Sequence, residues 1–215
     1  MNLPSLKDIV YDYISEAIQN GALKPSDKIN ELNIAKDLNI SRTPIREALI
    51  QLAAEGFLEA RPRRGFIVKQ LTIKDAEEVY SVIGVLDALA IELSIENLNN
   101  DDLEKMEKIT KNIDDAIKEK DFNKYYKLQF DFHNIYIFKS NNKILIDTLN
   151  TLRKQFIRHN YKSSPQQELL NIMTLSNNEH KQMITLIRNK DITSLKNLII
   201  TVHWSLRYAS DDTVY

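Results

Sequence analysis

Two groups of residues in this sequence have side chains suited to recognition or ligand chemistry. The first is basic: Arg42 and Arg46 lie one helical turn apart, and residues 60–69 hold three arginines and a lysine with no acidic residue. Arginine binds phosphates and guanine edges through its planar fork, although a basic stretch taken alone is more typical of a solvated surface. The second group is the histidines, because imidazole nitrogens bind divalent transition metals.

Composition limits the class of protein that can carry these groups. The chain has 215 residues, is 43% hydrophobic, has a formal net charge of -1 and contains no cysteine, which excludes disulfides and thiolate metal sites. The apolar runs, such as residues 82–86, are far shorter than a membrane span needs, and residues 1–8 lack the layout of a signal peptide. We therefore expect a cytoplasmic protein with no membrane partner, of one or two domains.

The first seventy residues show the periodicity of short helices. One helix is predicted up to Asn20-Gly21 and a second up to Asn39, since Gly and Asn favour helix C-termini. Their predicted inward-facing residues are Leu6, Val10, Ile14 and Ile18 in the first helix and Leu32, Ile34, Ala35 and Leu38 in the second. This pattern predicts two amphipathic helices.

A third helix and a β-hairpin are predicted to follow. Thr43 is a predicted N-cap with Pro44 in the first helical position, and the helix is expected to end at Gly56. Residues 57–61 and 66–69 are predicted strands around a turn at 62–65. Together these elements predict a winged helix-turn-helix.

In such a fold the second helix of the motif enters the major groove of DNA. Arg42, Thr43 and Arg46 would lie at its N-terminal end, where free backbone N–H groups also favour phosphates. At the tip of the wing, Arg64 and Gly65 are placed to follow the minor groove. These five residues are the predicted DNA contacts.

Three segments of this region resemble the GntR family of bacterial regulators. They are residues 41–49 (SRTPIREAL), 55–58 (EGFL) and 64–68 (RGFIV), in the order and spacing of the family. The resemblance implies that Arg42, Thr43, Arg46 and Gly65 contact double-stranded DNA, and that a homodimer reads a palindromic operator. One departure is Pro25-Ser26, where the family often has Pro-Gly. The alternative is a winged helix that contacts only proteins.

After Leu71 the sequence changes to long helical periodicity without strands. We therefore predict a DNA-binding domain over residues 1–70 and an all-helical effector-binding and dimerisation domain over 71–215. The predicted fold is mostly α: three helices and a small β-hairpin wing, then an antiparallel all-α bundle. Its predicted helices span residues 73–97, 101–119, 122–139, 142–161, 166–188 and 192–209.

Three of the four histidines fall on these predicted helices. His133, His180 and His203 would bind a divalent metal if they converge, whereas His159 lies near a helix end and is expected to be a surface or capping residue. Sequence spacing does not establish that convergence. A polar pocket lined by His, Gln and Tyr is the alternative.

This half of the chain resembles the FCD domain of FadR-like GntR regulators. The matching residues are Phe132-His133, residues 140–142, Glu179-His180, Asp191 and His203. The resemblance implies a zinc-like or nickel-like ion held by the three histidines. It also implies a small effector that carries a carboxylate and binds near Gln129 and the same three histidines.

The FCD resemblance has three departures at or near the metal site. Gln129 stands where many members have a metal-binding Asp, and Asp131 cannot substitute because it points to another side of the helix. His203 comes one residue late, with Val202 in the usual position, which could rotate the imidazole away from the site. Ile83 replaces a common Arg.

Enzyme motifs are absent from the sequence. No His precedes an Asp, none has a Glu three residues before it, and four glycines form no phosphate loop. We therefore predict a regulator and not an enzyme. The competing readings are a helical metal-dependent enzyme and a protein-binding adaptor.

Overall fold

The computed structural model describes residues 4–19, 21–70, 72–154 and 166–206. The first part of the chain carries helices α1 (Leu6–Gln19), α2 (Glu31–Leu38) and α3 (Arg42–Ala54) and strands β1 (Leu58–Arg61) and β2 (Gly65–Val68). The second part carries α4 (Ile73–Ser94), α5 (Asn100–Glu119), α6 (Phe122–Lys139), α7 (Lys143–Lys154), α8 (Gln166–Arg188), α9 (Ile192–Asn197) and a π-helical turn (Leu198–His203). The described residues form two compact units that divide between Thr72 and Ile73, with residues 151–154 grouped with the first. The predicted winged helix-turn-helix followed by a helical bundle is confirmed.

The first unit is organised around one apolar core. Val10, Ile14 and Ile18 of α1 are buried as predicted, and they pack with Ile34 of α2 and with the inner face of α3. Two predicted core positions were wrong, because the side chains of Leu6 and Leu32 are 54% and 66% exposed. Both residues lie in the first turn of their helices, Leu6 at the start of α1 and Leu32 near the start of α2, where the helix end extends beyond the core.

Helix α3 begins earlier than predicted. Its N-cap is Ser41 and its first residue is Arg42, so Thr43 is not the cap and Pro44 is the third helical residue. A proline is tolerated there because first-turn N–H groups have no intrahelical acceptor. The earlier start places Arg42 inside the first turn of α3. The preceding helix ends where expected, at Asn39 in the left-handed conformation with φ 52°.

The wing is an antiparallel hairpin in which Leu58 pairs with Val68 and Arg61 pairs with Gly65. Its turn is tight: the N–H of Arg64 donates to the carbonyl of Arg61 at 3.0 Å. Gly65 has φ 79°, a conformation that side-chain-bearing residues rarely adopt. The glycine therefore fixes the point at which the wing turns back.

The second unit is a bundle in which α5 packs on α6 and α8, and α4 packs on α6 and the π-helical turn. The predicted breaks are confirmed at the N-cap Asn99 and at Lys120 and Asn141, both of which have positive φ. The end of the predicted helix 142–161, with His159, lies outside the described residues. None of the helices in the described part of the chain has the length and apolar character that a bilayer crossing requires.

The last helix differs from its prediction. A continuous α-helix was expected over 192–209, but the α-helix stops at Asn197 and residues 198–203 form a π-helical turn. A π-turn accommodates one more residue than an α-turn, so it absorbs an extra residue without rotating what precedes it. The consequence for His203 is that its side chain is buried and not displaced.

Candidate metal centre and DNA-facing surface

Three buried histidines from separate elements converge in the second unit. His133 lies on α6, His180 on α8 and His203 at the end of the π-helical turn. The Nε2 atom of His133 is 3.3 Å from Nε2 of His180 and 3.2 Å from Nε2 of His203. The sequence could not establish this convergence, and the structure brings together all three predicted ligands.

Two of the three imidazoles are oriented by carboxylates. Nδ1 of His133 lies 3.1 Å from Oδ2 of Asp87, and Nδ1 of His203 lies 2.9 Å from Oε2 of Glu179. In the neutral imidazole, an N–H donated from Nδ1 leaves Nε2 with a free lone pair. The lone pairs of His133 and His203 therefore face each other.

This arrangement fits a divalent ion of the zinc or nickel type. Metal–imidazole bonds of about 2.0–2.1 Å place the donor nitrogens of a tetrahedral site roughly 3.3 Å apart. The 3.3 Å and 3.2 Å separations of Nε2 of His133 from those of His180 and His203 match this value, and all three donor atoms lie within 4.8 Å of one another. Two opposed lone pairs at that distance repel each other unless a cation or a proton lies between them. The donor set and its spacing therefore suit a metal.

His180 is the most enclosed member of the cluster. Burial and the neighbouring His203 and His133 hold its pKa well below the usual value, so the imidazole is neutral. Its Nδ1 has no hydrogen-bond partner among the described residues. A neutral imidazole can bind a metal without first losing a proton.

Asp87 of α4 links three parts of the site. Besides His133, its Oδ2 accepts hydrogen bonds from the hydroxyl of Tyr136 at 2.7 Å and from Nε1 of Trp204 at 2.8 Å. Burial by itself raises the pKa of Asp87, but the electrostatic interaction with His133 and the hydrogen bonds from His133, Trp204 and Tyr136 outweigh it and lower the pKa to about 2. The carboxylate is therefore ionised although it is completely buried.

Sequence reasoning missed Asp87, although a signal was present. It is the one charged residue within residues 79–91, which are otherwise almost entirely apolar. A charge in such a stretch of a core helix requires a buried partner. Trp204 carried no comparable signal, because its contact with Asp87 joins residues far apart in the chain.

The structure also places the three departures from the FCD pattern. The amide nitrogen of Gln129 donates to the hydroxyls of Tyr125 and Ser176. Asp131 is exposed whereas His133 is buried, in line with the prediction that they face different sides of the helix. Ile83 is fully buried in α4. Val202 is only partly buried while His203 reaches the cluster, so the shifted register does not rotate His203 away from the site.

The predicted DNA contacts lie on the surface of the first unit. Arg42 and Arg46 are 60% and 61% exposed, and Thr43 between them is exposed too. Arg64 and Gly65 are exposed at the tip of the wing. The buried face of α3 holds this surface in place through Ile45, Ala48, Leu49 and Leu52.

Two family models match the two parts of the chain. The model described as bacterial regulatory proteins of the gntR family matches residues 6–68, and that of the FCD domain matches residues 78–202. The chain belongs to the GntR family. Within the family, its FCD domain marks it as a FadR-like member, as the sequence resemblance implied.

Similar proteins agree with this membership. The GntR chain is 35% identical over 140 residues to the uncharacterized HTH-type transcriptional regulator YdhC of Bacillus subtilis, and 28% identical over 132 residues to the HTH-type transcriptional regulator McbR of Escherichia coli. These matches cover 65% and 61% of this chain and span 62% and 60% of those relatives' lengths. Both relatives are named as regulators and not as enzymes, in line with the prediction.

A solved structure has the same fold as this GntR protein. The Escherichia coli protein titled McbR/YncC superimposes with a TM-score of 0.77 at 22% sequence identity. The superposition covers 97% of this chain and 99% of that one. At this identity the likeness supports the fold.

Proposed function

We propose that this GntR-family protein is a cytoplasmic, sequence-specific transcription regulator. It binds double-stranded DNA as a homodimer at a palindromic operator, and a small carboxylate effector in the FCD domain sets its affinity for that operator. The observation that carries the proposal is the exposed start of α3, where Arg42, Thr43 and Arg46 extend from a helix whose other face is buried. The names of the relatives, both HTH-type transcriptional regulators, support the same function.

The chemistry of α3 favours DNA over other polyanions. Its N-terminus offers backbone N–H groups to phosphate, and its two arginines can each make bidentate contacts with guanine. Arg64 and Gly65 form a narrow, exposed wing tip that suits the minor groove. We assign DNA binding to a domain of residues 1–70. The domain of residues 71–215 binds the effector and the second subunit.

The homodimer is supported by an apolar stripe on α4. Val82, Val85, Leu89 and Leu93 are 47%, 56%, 38% and 41% exposed and recur at helical spacing on one face. The exposed charged residue on that face over residues 79–93 is Glu92, which is already paired with Lys196. An apolar stripe without unpaired charge suits a second copy of the same helix, because a two-fold axis makes such a surface self-complementary.

We further propose that His133, His180 and His203 hold a divalent ion of the zinc or nickel type. A bound ion supplies positive charge and an open coordination position for an anionic oxygen. The three imidazole ligands bring no negative charge into direct contact with the ion, and the Gln129 amide adds none where an Asp would; the carboxylates of Asp87 and Glu179 lie on the far side of the imidazoles. The site therefore favours an anionic effector, in agreement with a carboxylate.

Effector binding acts on DNA through a difference in affinity between protein states. An effector that binds one arrangement of the dimer more tightly shifts the population toward it, and DNA occupancy follows. No bond chemistry is needed, which agrees with a regulator.

The test of the DNA function is selection of fragments from the source genome at several salt concentrations. We expect a small set of fragments to be retained, with affinity falling steeply as salt rises. Arg46→Ala should fold normally and lose discrimination between operator variants, by about tenfold for one lost base contact. Retention of no fragment by the wild-type protein would overturn the proposal.

The metal is tested by elemental analysis of protein purified without an affinity tag. We expect about one equivalent of ion per chain, and loss of it in His180→Ala. Absence of metal even after loading with zinc or nickel would reject the site.

The dimer is tested by sedimentation of Leu89→Glu, which should dissociate. The control is Leu175→Glu, at an exposed apolar position on α8, which should remain a dimer.

A further inference from the structure

Both DNA-facing arginines of α3 contact a single carboxylate. Oε2 of Glu31 accepts a hydrogen bond from Nε of Arg46 at 3.1 Å and lies 3.5 Å from Nη2 of Arg42. The side chain of Glu31 is 16% exposed, whereas those of the arginines are 60% and 61% exposed. One nearly enclosed anion therefore lies beneath two exposed cations.

Glu31 is held independently of the arginines. It is the first residue of α2, whose N-terminus is capped by the Asn30 side chain accepting from the N–H groups of Leu32 and Asn33. The positive end of the helix dipole favours a carboxylate at that position. The carboxylate is therefore a fixed acceptor, against which the arginines are ordered.

The contact with Glu31 reduces both the repulsion between Arg42 and Arg46 and the conformational freedom of their side chains. Arg42 and Arg46 lie four residues apart on α3, where two positive charges repel each other, and free arginine side chains lose considerable rotamer entropy on binding. Glu31 offsets the repulsion and restricts both side chains before any ligand arrives. Because it engages Arg46 through Nε, the Nη1 and Nη2 edge of that guanidinium stays available for a bidentate contact.

We propose that Glu31 is a positioning residue for DNA reading, a role that rests on the proposed function. Its carboxylate presets the guanidinium of Arg46 for a base edge, which lowers the ordering cost of the specific complex. Its negative charge also weakens attachment of the same arginines to phosphates of any sequence. Both effects raise the ratio of specific to non-specific affinity, the second by penalising the wrong partner.

The wing offers a contrast within the same unit. Arg61 pairs with Glu59, but there the two side chains are 46% and 48% exposed and lie two residues apart on one strand. Such a pair is fully solvated and contributes little order. Glu31 differs because it is enclosed and because it reaches across from α2 to α3.

The experiment compares Glu31→Gln with Glu16→Gln, a matched loss of one negative charge at an exposed position of α1. Each variant and the wild type are titrated with a selected operator fragment and with a random fragment of equal length, over a range of salt. For Glu31→Gln we expect tighter binding to the random fragment and a fall of about tenfold in the operator-to-random ratio. For Glu16→Gln both affinities should change by the same factor, leaving the ratio intact.

The outcomes separate the two proposals. A wild-type protein that selects its operator, combined with an unchanged ratio in Glu31→Gln, overturns the role of Glu31 and leaves the DNA function standing. A wild-type protein that selects no fragment overturns both. Thermal unfolding shows whether each protein is folded at the temperature of the titrations, and we expect all three to be, because glutamine keeps the shape of the glutamate side chain. An equal loss of ratio in Glu16→Gln would also reject the proposal.

Discussion

Oδ2 of Asp87 lies 3.1 Å from Nδ1 of His133, on the opposite side of the imidazole from the Nε2 atom that faces the other two histidines. The carboxylate comes from α4 and the imidazole from α6, so the contact joins two helices of the bundle. A buried carboxylate in this position fixes the tautomer of the histidine and raises the basicity of Nε2. The metal-binding capacity of His133 thus depends on a residue that does not touch the metal position.

Asp87→Asn is expected to weaken metal binding by about 10- to 100-fold, because the amide keeps the shape of the side chain but loses its charge. Competition with a coloured chelator measures the affinity directly. The control is Glu107→Gln, which removes the carboxylate paired with Arg188 at the exposed surface of the bundle and should leave affinity unchanged. Equal affinities for the two variants would show that Asp87 does not orient His133.

Sequence reasoning predicted the elements better than the contacts between them. The breaks at Asn99, Lys120 and Asn141 were found because helix ends depend on local residue chemistry. Local chemistry was insufficient at Pro44, where the first turn of α3 tolerates a proline within it. Asp87 was missed although it is the one charge in an apolar stretch. Its partner Trp204 was missed because their hydrogen bond joins residues 117 positions apart, which no periodic pattern encodes.

The register of His203 could not be settled from the sequence. In a regular α-helix, one extra residue before His203 would rotate its side chain by about 100°. The structure instead places the extra residue in the π-helical turn. A sequence pattern based on a regular α-helix cannot predict a π-helical turn. The turn forms here because it allows the imidazole of His203 to pack in the buried cluster.

Acid should weaken the start of α5 through Asp102. Burial raises the pKa of Asp102, but hydrogen bonds from Lys139 and from the N–H of Asn99 outweigh it and lower the pKa below 3.8. A carboxyl with a depressed folded-state pKa stabilises fully above the unfolded value and loses that stabilisation as the pH falls through the folded value. Asp102→Asn should therefore be less stable than wild type by about 1 kcal/mol at neutral pH.

The difference in stability between wild type and Asp102→Asn should shrink as the pH falls below 3.8 and through the lowered pKa of Asp102. Urea unfolding of both proteins over this pH range measures their free energies of unfolding. Subtracting one free energy from the other cancels the contribution of the titratable groups that both proteins share. Asp101→Asn, at the exposed neighbouring position, is the control and should show little difference at any pH. A gap between wild type and Asp102→Asn that stays constant from neutral to acid pH would contradict the assignment.

Gly84→Ala should disturb the packing of α4 on the π-helical turn. A Cβ at this position would lie 3.1 Å from Cβ of Trp204 and 3.6 Å from Cα of Ile200. Trp204 cannot easily move, because it is held by its hydrogen bond to Asp87 and by edge contact with Tyr80. The steric cost should exceed the gain of about 1 kcal/mol in helix propensity.

We therefore expect Gly84→Ala to unfold at lower temperature and to change the emission of Trp204, the single tryptophan of the chain. Ser81→Ala is the matched control, since it raises helix propensity at an exposed position of α4. It should unfold at the same or a slightly higher temperature, with unchanged emission. A more stable Gly84→Ala protein with wild-type emission would show that α4 and the π-helical turn can accommodate an additional methyl group between them.

Deletion of Thr201 should preserve the histidine cluster. Thr201 is an exposed residue of the π-helical turn. Its removal should allow the α-helix that begins at Ile192 to continue through this segment. His203 would then occupy the sequence position that Val202 has now. Because the π-turn accommodates one surplus residue, the shortened helix should direct the same imidazole into the cluster. Insertion of one alanine before Thr201 adds a second surplus residue and should turn His203 away by about 100°.

Metal stoichiometry and thermal unfolding distinguish the three proteins. The deletion variant should bind metal and be at least as stable as wild type, whereas the insertion variant should lose both metal and stability. Thr201→Ala, which removes only the hydroxyl bonded to the carbonyl of Asn197, should behave as wild type. Loss of metal in the deletion variant with the fold intact would mean that the π-turn itself, and not the regular helix, is the geometry that His203 requires.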